Sequence, residues 1–520
     1  MFHLLKKFRP ALLASLCLAA AGAAFAPAGA EARTITVAIP STFTTLDPYD
    51  ANDAMSRNAV KSIYEGLFVF NKDLKPVPQL AESYEVSDGG RVYTIKLKKG
   101  VKFHDGTEFT SEAVKLNFER LLDKKNALSR YTFFSFIKKV DAVDPYTVRF
   151  TLESPMSAFI PRLANGTGQM ICPSYLKKYT GDELAFHACG TGPYMLKDYN
   201  PSERLIVVKN PNYRVPGLPK LDGINWIPVP ENSTRAQMVM TGEAAYVHQM
   251  PPELMDRASK NPNVQVFDVP AVLMRYMQIN TMQKPFDDVR VRRAMAYAIN
   301  KEAFCKVVYN GYARPATGVQ PTEIPGGLKL GPWPYDPKKA RELLKEAGYP
   351  NGFKTTLWSA FNTSTNAKAV QFLQQQLRQV GIDVETRQLE SGQRVQLVEG
   401  HADPKTAPVR LYLIGWTNPT GEPDWGIRPL FDSRSMPPVL SNMAYYANPK
   451  VDAALDRGLA ETDAAKRAAD YGEAQKIIWE DVPAVFLSYE DNIAAANKHL
   501  KNFFPKPDSS FEFYEAYWEE

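Results

Sequence analysis

One short pattern in the sequence contains the residue types that nucleophilic catalysis needs. Residues 174–177 (S-Y-L-K) fit the S-x-x-K motif with which penicillin-binding enzymes form an acyl-enzyme. That chemistry also uses a K-T-G segment, which residues 405–407 (K-T-A) only approach. The sequence contains no G-x-S-x-G elbow, no P-loop and no H-E-x-x-H. We therefore expect the protein not to be an enzyme, and keep an acyl-enzyme at Ser174 as the alternative.

An aromatic and acidic segment, residues 415–425 (G-W-T-N-P-T-G-E-P-D-W), is better suited to binding than to catalysis. Trp416 and Trp425 can form flat walls for a flexible ligand. Asp424 and Glu422 can accept hydrogen bonds from an ammonium group. In the alternative interpretation the tryptophans cover the core and the carboxylates cap a helix.

Arg275 is the residue best suited to hold a ligand carboxylate. It lies in a strand-like segment, residues 274–280 (M-R-Y-M-Q-I-N). A guanidinium group binds both oxygens of a carboxylate because its planar fork matches their geometry. The alternative is an ion pair between two lobes of the protein.

The first residues have the pattern of a secretory signal peptide. Basic residues precede an apolar run over residues 11–26, and small residues then provide cleavage sites before Glu31 or Arg33. The run is shorter than the ~20 residues that span a membrane. We expect residues 1–32 to be removed; the alternative is an uncleaved anchor. The net charge of +5 then falls to about +3, with no long basic run, so no nucleic-acid partner is expected.

Export also bears on the cysteines and on metal binding. Cys172 and Cys189 flank a short segment, and an oxidising compartment favours a disulfide between them. The alternative is two buried thiols, and Cys305 is expected to be a packed thiol. The histidines are scattered and no C-x-x-C pair occurs, so we expect neither a metal site nor a cofactor.

The elements that must position these residues alternate between strand and helix. Hydrophobic periodicity and turn residues predict strands at 34–39, 84–86, 92–97, 140–143, 147–150, 353–358, 382–386, 409–414 and 484–487, and helices at 51–68, 287–300, 337–348, 367–380 and 465–478. The tail from residue 491 is short and aromatic. The order predicts an α/β protein of two or three domains whose lobes are joined by crossing strands, with a ligand in the cleft between them.

Ordered motifs along the whole mature chain resemble family 5 of the extracellular solute-binding proteins, the peptide, nickel and oligopeptide receptors of ABC importers. The motifs are residues 46–48 (L-D-P), 64–67 (Y-E-G-L), 80–84 (L-A-E-S-Y), 103–107 (F-H-D-G-T), 190–194 (G-T-G-P-Y), 210–213 (N-P-N-Y) and 285–292 (P-F-D-D-V-R-V-R). Within the family, the similarity is greatest to the receptors for glutathione. The segments that carry this similarity are residues 43–53, 283–287, 311–319, 333–337, 357–359, 392–394 and 415–417.

This resemblance implies a two-lobed periplasmic binding protein of class II with an extra subdomain. It places the first lobe and the subdomain at 33–272, completed by 490–520, and the second lobe at 273–489. A monomer that closes on its ligand and docks on the membrane permease of an ABC importer is implied, without a cofactor.

Two departures from the dipeptide receptors of the family bear on the ligand. The position of their ammonium-binding Asp is occupied by Pro419, and the region of their carboxylate-binding Arg contains Asn362 instead. Glutathione, which carries two carboxylates and one ammonium, is therefore the expected ligand; dipeptides, other short peptides, and haem or nickel chelates are alternatives. The resemblance suggests eight ligand contacts, namely Arg275 and Arg394 for the carboxylates, Asp424 for the ammonium, and Thr44, Thr45, Tyr131, Trp416 and Thr417 for the walls.

Overall fold

The computed structural model describes residues 33–51, 53–166, 168–361, 363–418 and 420–520. The expected signal peptide, Asn362 and Pro419 lie outside the described residues, so the predictions made on them stay predictions. Among the residues that are described, none belongs to a helix that is both long and apolar enough to cross a membrane.

The strands of the described residues are numbered in chain order. They are β1 Thr34–Ile39, β2 Phe68–Phe70, β3 Pro76–Pro78, β4 Ala81–Ser87, β5 Val92–Leu97, β6 Ile137–Asp144, β7 Thr147–Leu152, β8 Tyr194–Asn200, β9 Arg204–Lys209, β10 Gly223–Pro228, β11 Tyr246–His248, β12 Val264–Ile279, β13 Ala313–Pro315, β14 Phe353–Ser359, β15 Ile382–Gln388, β16 Leu411–Thr417, β17 Ala484–Asn497, β18 Leu500–Lys501 and β19 Tyr517–Trp518.

The α-helices of the same residues are numbered likewise. They are α1 Ala54–Val60, α2 Ser111–Leu122, α3 Tyr131–Phe134, α4 Phe159–Ala164, α5 Pro173–Lys178, α6 Asn232–Thr241, α7 Met255–Ser259, α8 Val289–Ala298, α9 Lys301–Tyr309, α10 Pro337–Glu346, α11 Ser364–Arg378, α12 Ser391–Arg394, α13 Pro423–Phe431, α14 Pro449–Ala460 and α15 Ala464–Asp481. A π-helical turn, Val395–Glu399, follows α12.

One large sheet runs through both lobes of the α/β fold. Its strands lie in the order β15-β14-β16-β12-β17-β11-β1-β10-β9-β8, and β13 pairs with β17. The antiparallel strands β12 and β17 extend over 16 and 14 residues, and their register shifts between Pro270 and Leu273. This shift lies beside the division expected at 272/273, which stays a prediction.

The hydrophobic core is divided in the same way as the sheet. One buried cluster joins β1, β10 and the four-stranded sheet β4-β5-β7-β6, which with α2 forms the extra subdomain. Two further clusters pack α8, α9 and α11 on one face of β12, β14 and β16, and α13, α14 and α15 on the other. Helices on both faces cover the apolar strands of the second lobe, as an α/β layer requires.

Most predicted elements are confirmed, but one helix is shorter and one strand is longer than predicted. The helix expected at 51–68 ends at Val60, because the carbonyls of Ser62 and Ile63 accept hydrogen bonds from Tyr194 and Gly192 instead of continuing the helix. The strand expected at 484–487 continues to Asn497 as β17, because partners in β11 and β12 extend it.

The predicted disulfide between Cys172 and Cys189 is confirmed. Both residues are buried, and the bond joins cysteines 17 positions apart in the sequence, on either side of α5. Cys305 is buried on α9 as a free thiol, as expected. A link of this loop length restricts the unfolded chain and stabilises the folded state by about 3 kcal/mol.

We expect reduction of this disulfide, or the double substitution Cys172→Ser and Cys189→Ser, to lower the free energy of unfolding by about 3 kcal/mol. Thermal unfolding with and without dithiothreitol measures the effect. The Cys305→Ala variant is the control and should keep the full response to reductant. An unfolding temperature that does not change with reductant would show that the link contributes no stability.

Candidate ligand-binding cleft

A cleft of about 600 Å³ lies between the two lobes. The first lobe and its subdomain contribute Arg57, Ser129, Arg130, Thr132, Phe133 and Asn165, and the second lobe contributes Phe361, Arg394, Glu399, Gly415, Trp416, Thr417, Trp425, Pro438, Val439, Leu440, Ser441 and Met443. A volume of this size suits a small organic ligand of several residues.

The second-lobe wall is built where β16 ends and α13 begins. β16 pairs with β12 so that Trp416 stands opposite Met274. The indole nitrogen of Trp416 donates to the backbone oxygen of Trp425 at 2.9 Å, which fixes one tryptophan against the other. At Gly415 a side chain would come within 3.1 Å of the guanidinium of Arg275, so the absence of a Cβ lets the wall approach that group.

Charged side chains of both signs face the cleft. Arg394 forms an ion pair with Glu399, Nε to Oε1 at 3.0 Å, and its guanidinium lies 5.1 Å from the centre of the Phe361 ring. Both side chains are partly exposed, so they can be approached by a ligand.

Arg57 and Arg130 lie on the opposite wall, where they repel one another. Burial, and next the charge of Arg57, lower the pKa of Arg130 to about 10. Arg130 donates to the backbone oxygen of Ala51 through Nε and Nη2, at 3.2 and 2.6 Å. Asp50 and Asp53 near Arg130, and Asp53 and Asp508 near Arg57, offset part of this effect and favour the charged forms. An anionic group placed beside the two desolvated cations would stabilise them further.

Three of the predicted ligand contacts, Arg394, Trp416 and Thr417, line this cleft together. Tyr131 begins α3 between the lining residues Arg130 and Thr132, with Lys124 5.8 Å from its ring.

Thr44 and Thr45 make local hydrogen bonds. The Thr44 hydroxyl donates to Asp53 at 2.6 Å, and the Thr45 hydroxyl accepts from the backbone of Asp47 at 3.0 Å. Their predicted contacts with a ligand stay predictions.

Arg275 lies in a second cavity, of about 280 Å³, that shares Phe361 with the cleft. Its Nε donates to Glu490 at 2.6 Å, and the hydroxyl of Tyr309 donates to the same carboxylate oxygen at 2.9 Å. The structure therefore has the ion pair that the sequence left as the alternative for Arg275, and a contact of this residue with a ligand stays a prediction.

Asp424 is buried in the first turn of α13, with 1 % of its surface exposed. Its Oδ1 accepts from Arg428 at 2.8 Å and from the hydroxyl of Tyr471 at 3.1 Å. Its charge is thus already matched inside the second lobe, and the predicted contact with an ammonium stays a prediction.

Several polar residues of the cleft were not predicted from the sequence, among them Arg57, Arg130, Asn165 and Glu399. Arg130 immediately precedes the predicted contact Tyr131, and Glu399 follows Arg394 by five residues, so both stood near a predicted contact. Arg57 and Asn165 belong to no motif, and only the folded chain brings them to the cleft.

We expect Glu490→Gln to lower the free energy of unfolding by about 3–5 kcal/mol, because it leaves the buried charge of Arg275 without a partner. Urea denaturation measures this. As a control, Asp198→Asn removes an ion pair with Arg204 that is exposed to solvent and should leave the midpoint unchanged. Equal midpoints for the two variants would contradict a structural role for the Arg275–Glu490 pair.

Comparison with known proteins identifies the family. Residues 75–437 match the family model of bacterial extracellular solute-binding proteins, family 5 middle. The glutathione-binding protein GsiB of Escherichia coli O1:K1 is 48% identical over 501 residues, which are 96% of this chain and 98% of that protein. GsiB of Pectobacterium atrosepticum is also 48% identical, over 93% and 94% of the two chains.

A solved structure extends the comparison to three dimensions. The periplasmic binding protein DppA of Helicobacter pylori, associated with an ABC transporter and in complex with the peptide STSA, has a TM-score of 0.82 and 30% identity, over 94% of this chain and 98% of that one. Together with the two-lobed sheet and its cleft, these matches show that the chain belongs to family 5 of the bacterial extracellular solute-binding proteins.

Proposed function

We propose that this protein is the periplasmic solute-binding subunit of an ABC importer and that its ligand is glutathione. The observation that carries the proposal is the charge pattern of the cleft, in which Arg57 and Arg130 face the Arg394–Glu399 pair. The names of its relatives at 48% identity support the same ligand.

The charges of glutathione are complementary to this pattern. We assign one carboxylate to Arg57 and Arg130, whose mutual repulsion an anion relieves, and the other to Arg394. Glu399 takes the ammonium, since a carboxylate beside the bound ligand is its natural partner. The rings of Trp416 and Trp425 and the end of β16 at Thr417 form the wall for the chain of the tripeptide.

The remaining predicted residues are assigned no charged group of the ligand. Thr44, Thr45 and Tyr131 are proposed to contact the ligand from the first-lobe side. Arg275 and Asp424 are proposed to act as charges that support the cleft, because each is already paired within the protein.

Binding is proposed to end in lobe closure and delivery to the membrane permease, without chemistry on the ligand. The position of Ser174 supports the non-enzymatic role: its hydroxyl is exposed and donates to Asp105, and Lys177 of the same motif is exposed too. The proposal includes a cleaved signal peptide, a monomer, and no nucleic-acid partner.

We expect purified mature protein to bind glutathione with measurable heat in titration calorimetry, and to bind Ala-Ala far more weakly, because Ala-Ala supplies only one carboxylate. Glutathione disulfide is titrated in parallel to compare the two redox forms. Tight binding of Ala-Ala with no heat from glutathione would overturn the ligand assignment in favour of dipeptides.

We expect Glu399→Gln to weaken glutathione binding by roughly tenfold, because it removes the charge assigned to the ammonium. The same substitution should not weaken binding of N-glutaryl-cysteinylglycine, which has the shape of glutathione without the ammonium group, and it can strengthen that binding because it frees Arg394 from its ion pair. Calorimetry of both ligands with both proteins separates the contact from a general loss of structure.

Glu323→Gln is the matched control, since Glu323 pairs with Arg314 and is not among the residues that line the cleft. An equal loss of affinity for both ligands in Glu399→Gln would contradict the assignment of the ammonium.

A further inference from the structure

A buried contact between the lobes lies beneath the cleft. It consists of Arg162 on α4 of the first lobe and of Asp424 and Trp425 on α13 of the second. The Nη2 atom of Arg162 lies 3.8 Å from Oδ2 of Asp424, and its guanidinium lies 5.4 Å from the centre of the Trp425 ring. Arg162 is 7% exposed and Asp424 1%.

Each side of this contact is supported within its own lobe. Arg162 donates to the backbone oxygen of Phe133 at 3.1 Å and lies over the rings of Phe133 and Phe136. Asp424 is neutralised by Arg428 through Oδ1. If the lobes separate, Asp424 keeps the charge of Arg428, whereas Arg162 keeps a backbone carbonyl and aromatic rings and loses the carboxylate that faces it. The closed arrangement is therefore favoured by the charge of Arg162.

The contact between Arg162 and Asp424 does not use all of the hydrogen-bonding capacity of the carboxylate. Oδ2 of Asp424 is buried and has no hydrogen bond, and 3.8 Å to Arg162 is an ionic contact longer than a hydrogen bond. Further approach of α4 toward α13 would convert it into a hydrogen-bonded pair, and such a pair between charged groups is about twice as strong as a neutral one.

The contact is also connected to the cleft. Asn165, which ends α4 three residues after Arg162, lines the cleft with a buried amide nitrogen that has no hydrogen-bond partner. Trp425 lines the cleft from the other side, and its ring meets that of Phe133 edge to face at 4.9 Å. A ligand that bonds Asn165 and packs on Trp425 thus draws the two ends of the contact together.

The packing of α13 indicates that the contact favours the closed over the open arrangement of the lobes. Ile427 and Leu430 of α13 are buried in the core of the second lobe, whereas Trp425 packs against the core of the first. From these observations we infer that Arg162 is a positioning residue which latches the closed lobes through Asp424 and Trp425, and so slows ligand release without touching the ligand. The inference does not depend on the identity of the ligand.

The test measures the distance between the lobes directly. Spin labels on Lys125→Cys in the first lobe and Lys450→Cys in the second, both exposed, report the lobe separation by pulsed electron resonance in the ligand-free mature protein with Cys305→Ala. We expect Arg162→Met to shift the distribution to longer distances, and Arg162→Lys to shift it less. The control is Arg292→Met, because Arg292 is equally buried and its hydrogen bonds within the described part of the chain go to the backbone oxygens of Phe286, Asp287 and Asp481 in its own lobe.

A second measurement links the latch to binding. Glutathione should dissociate roughly tenfold faster from Arg162→Met with an almost unchanged association rate, whereas Arg292→Met should alter thermal stability alone. If Arg162→Met and the unsubstituted protein have the same distance distribution, the latch is disproved. If the distribution shifts but glutathione binds neither protein, the latch stands and the proposed ligand fails. If Arg162→Met does not fold, the interlobe distances of Arg162→Lys are compared with those of the unsubstituted protein instead, and equal distributions again disprove the latch.

Discussion

The fold depends on two long antiparallel strands, β12 and β17, that both lobes share. Their pairing runs without a chain break from one lobe to the other, and the register shifts near Pro270 and Leu273. A strand pair that crosses a boundary resists translation of the lobes but allows bending where the ladder is interrupted. The position of every cleft residue follows from this constraint, because β16 is held by β12 and its end forms the second-lobe wall.

The charged side chains of the cleft then determine which ligands the two lobes can enclose. On one wall, Arg57 and Arg130 are desolvated near each other; on the other, Arg394 and Glu399 form a pair that is partly open to solvent. Beneath them, Asp424 and Arg162 are buried but supported within their own lobes. In the proposed function, a ligand whose charges complement these groups favours closure, and it is recognised by charge as well as by shape.

Local sequence predicted the elements well and the cleft only in part. Hairpins and capped helices were predictable because their signals are local, as with Pro337 at the start of α10. The end of α1 and the length of β17 were not, because distant residues such as Gly192 supply the hydrogen bonds. Likewise Trp416 and Arg394 lie in recognisable motifs, whereas Arg57 reaches the cleft only through the packing of the first lobe.

In the proposed function, the interlobe cleft holds a ligand with two carboxylates and one ammonium. A crystal structure of the protein grown with glutathione tests it most directly. We expect the tripeptide between the end of β16 and residues 129–133, with one carboxylate at Arg57 and Arg130, the other at Arg394, and the ammonium at Glu399. Glutathione bound instead in the cavity beside Arg275, or with its ammonium against the arginines, would contradict it.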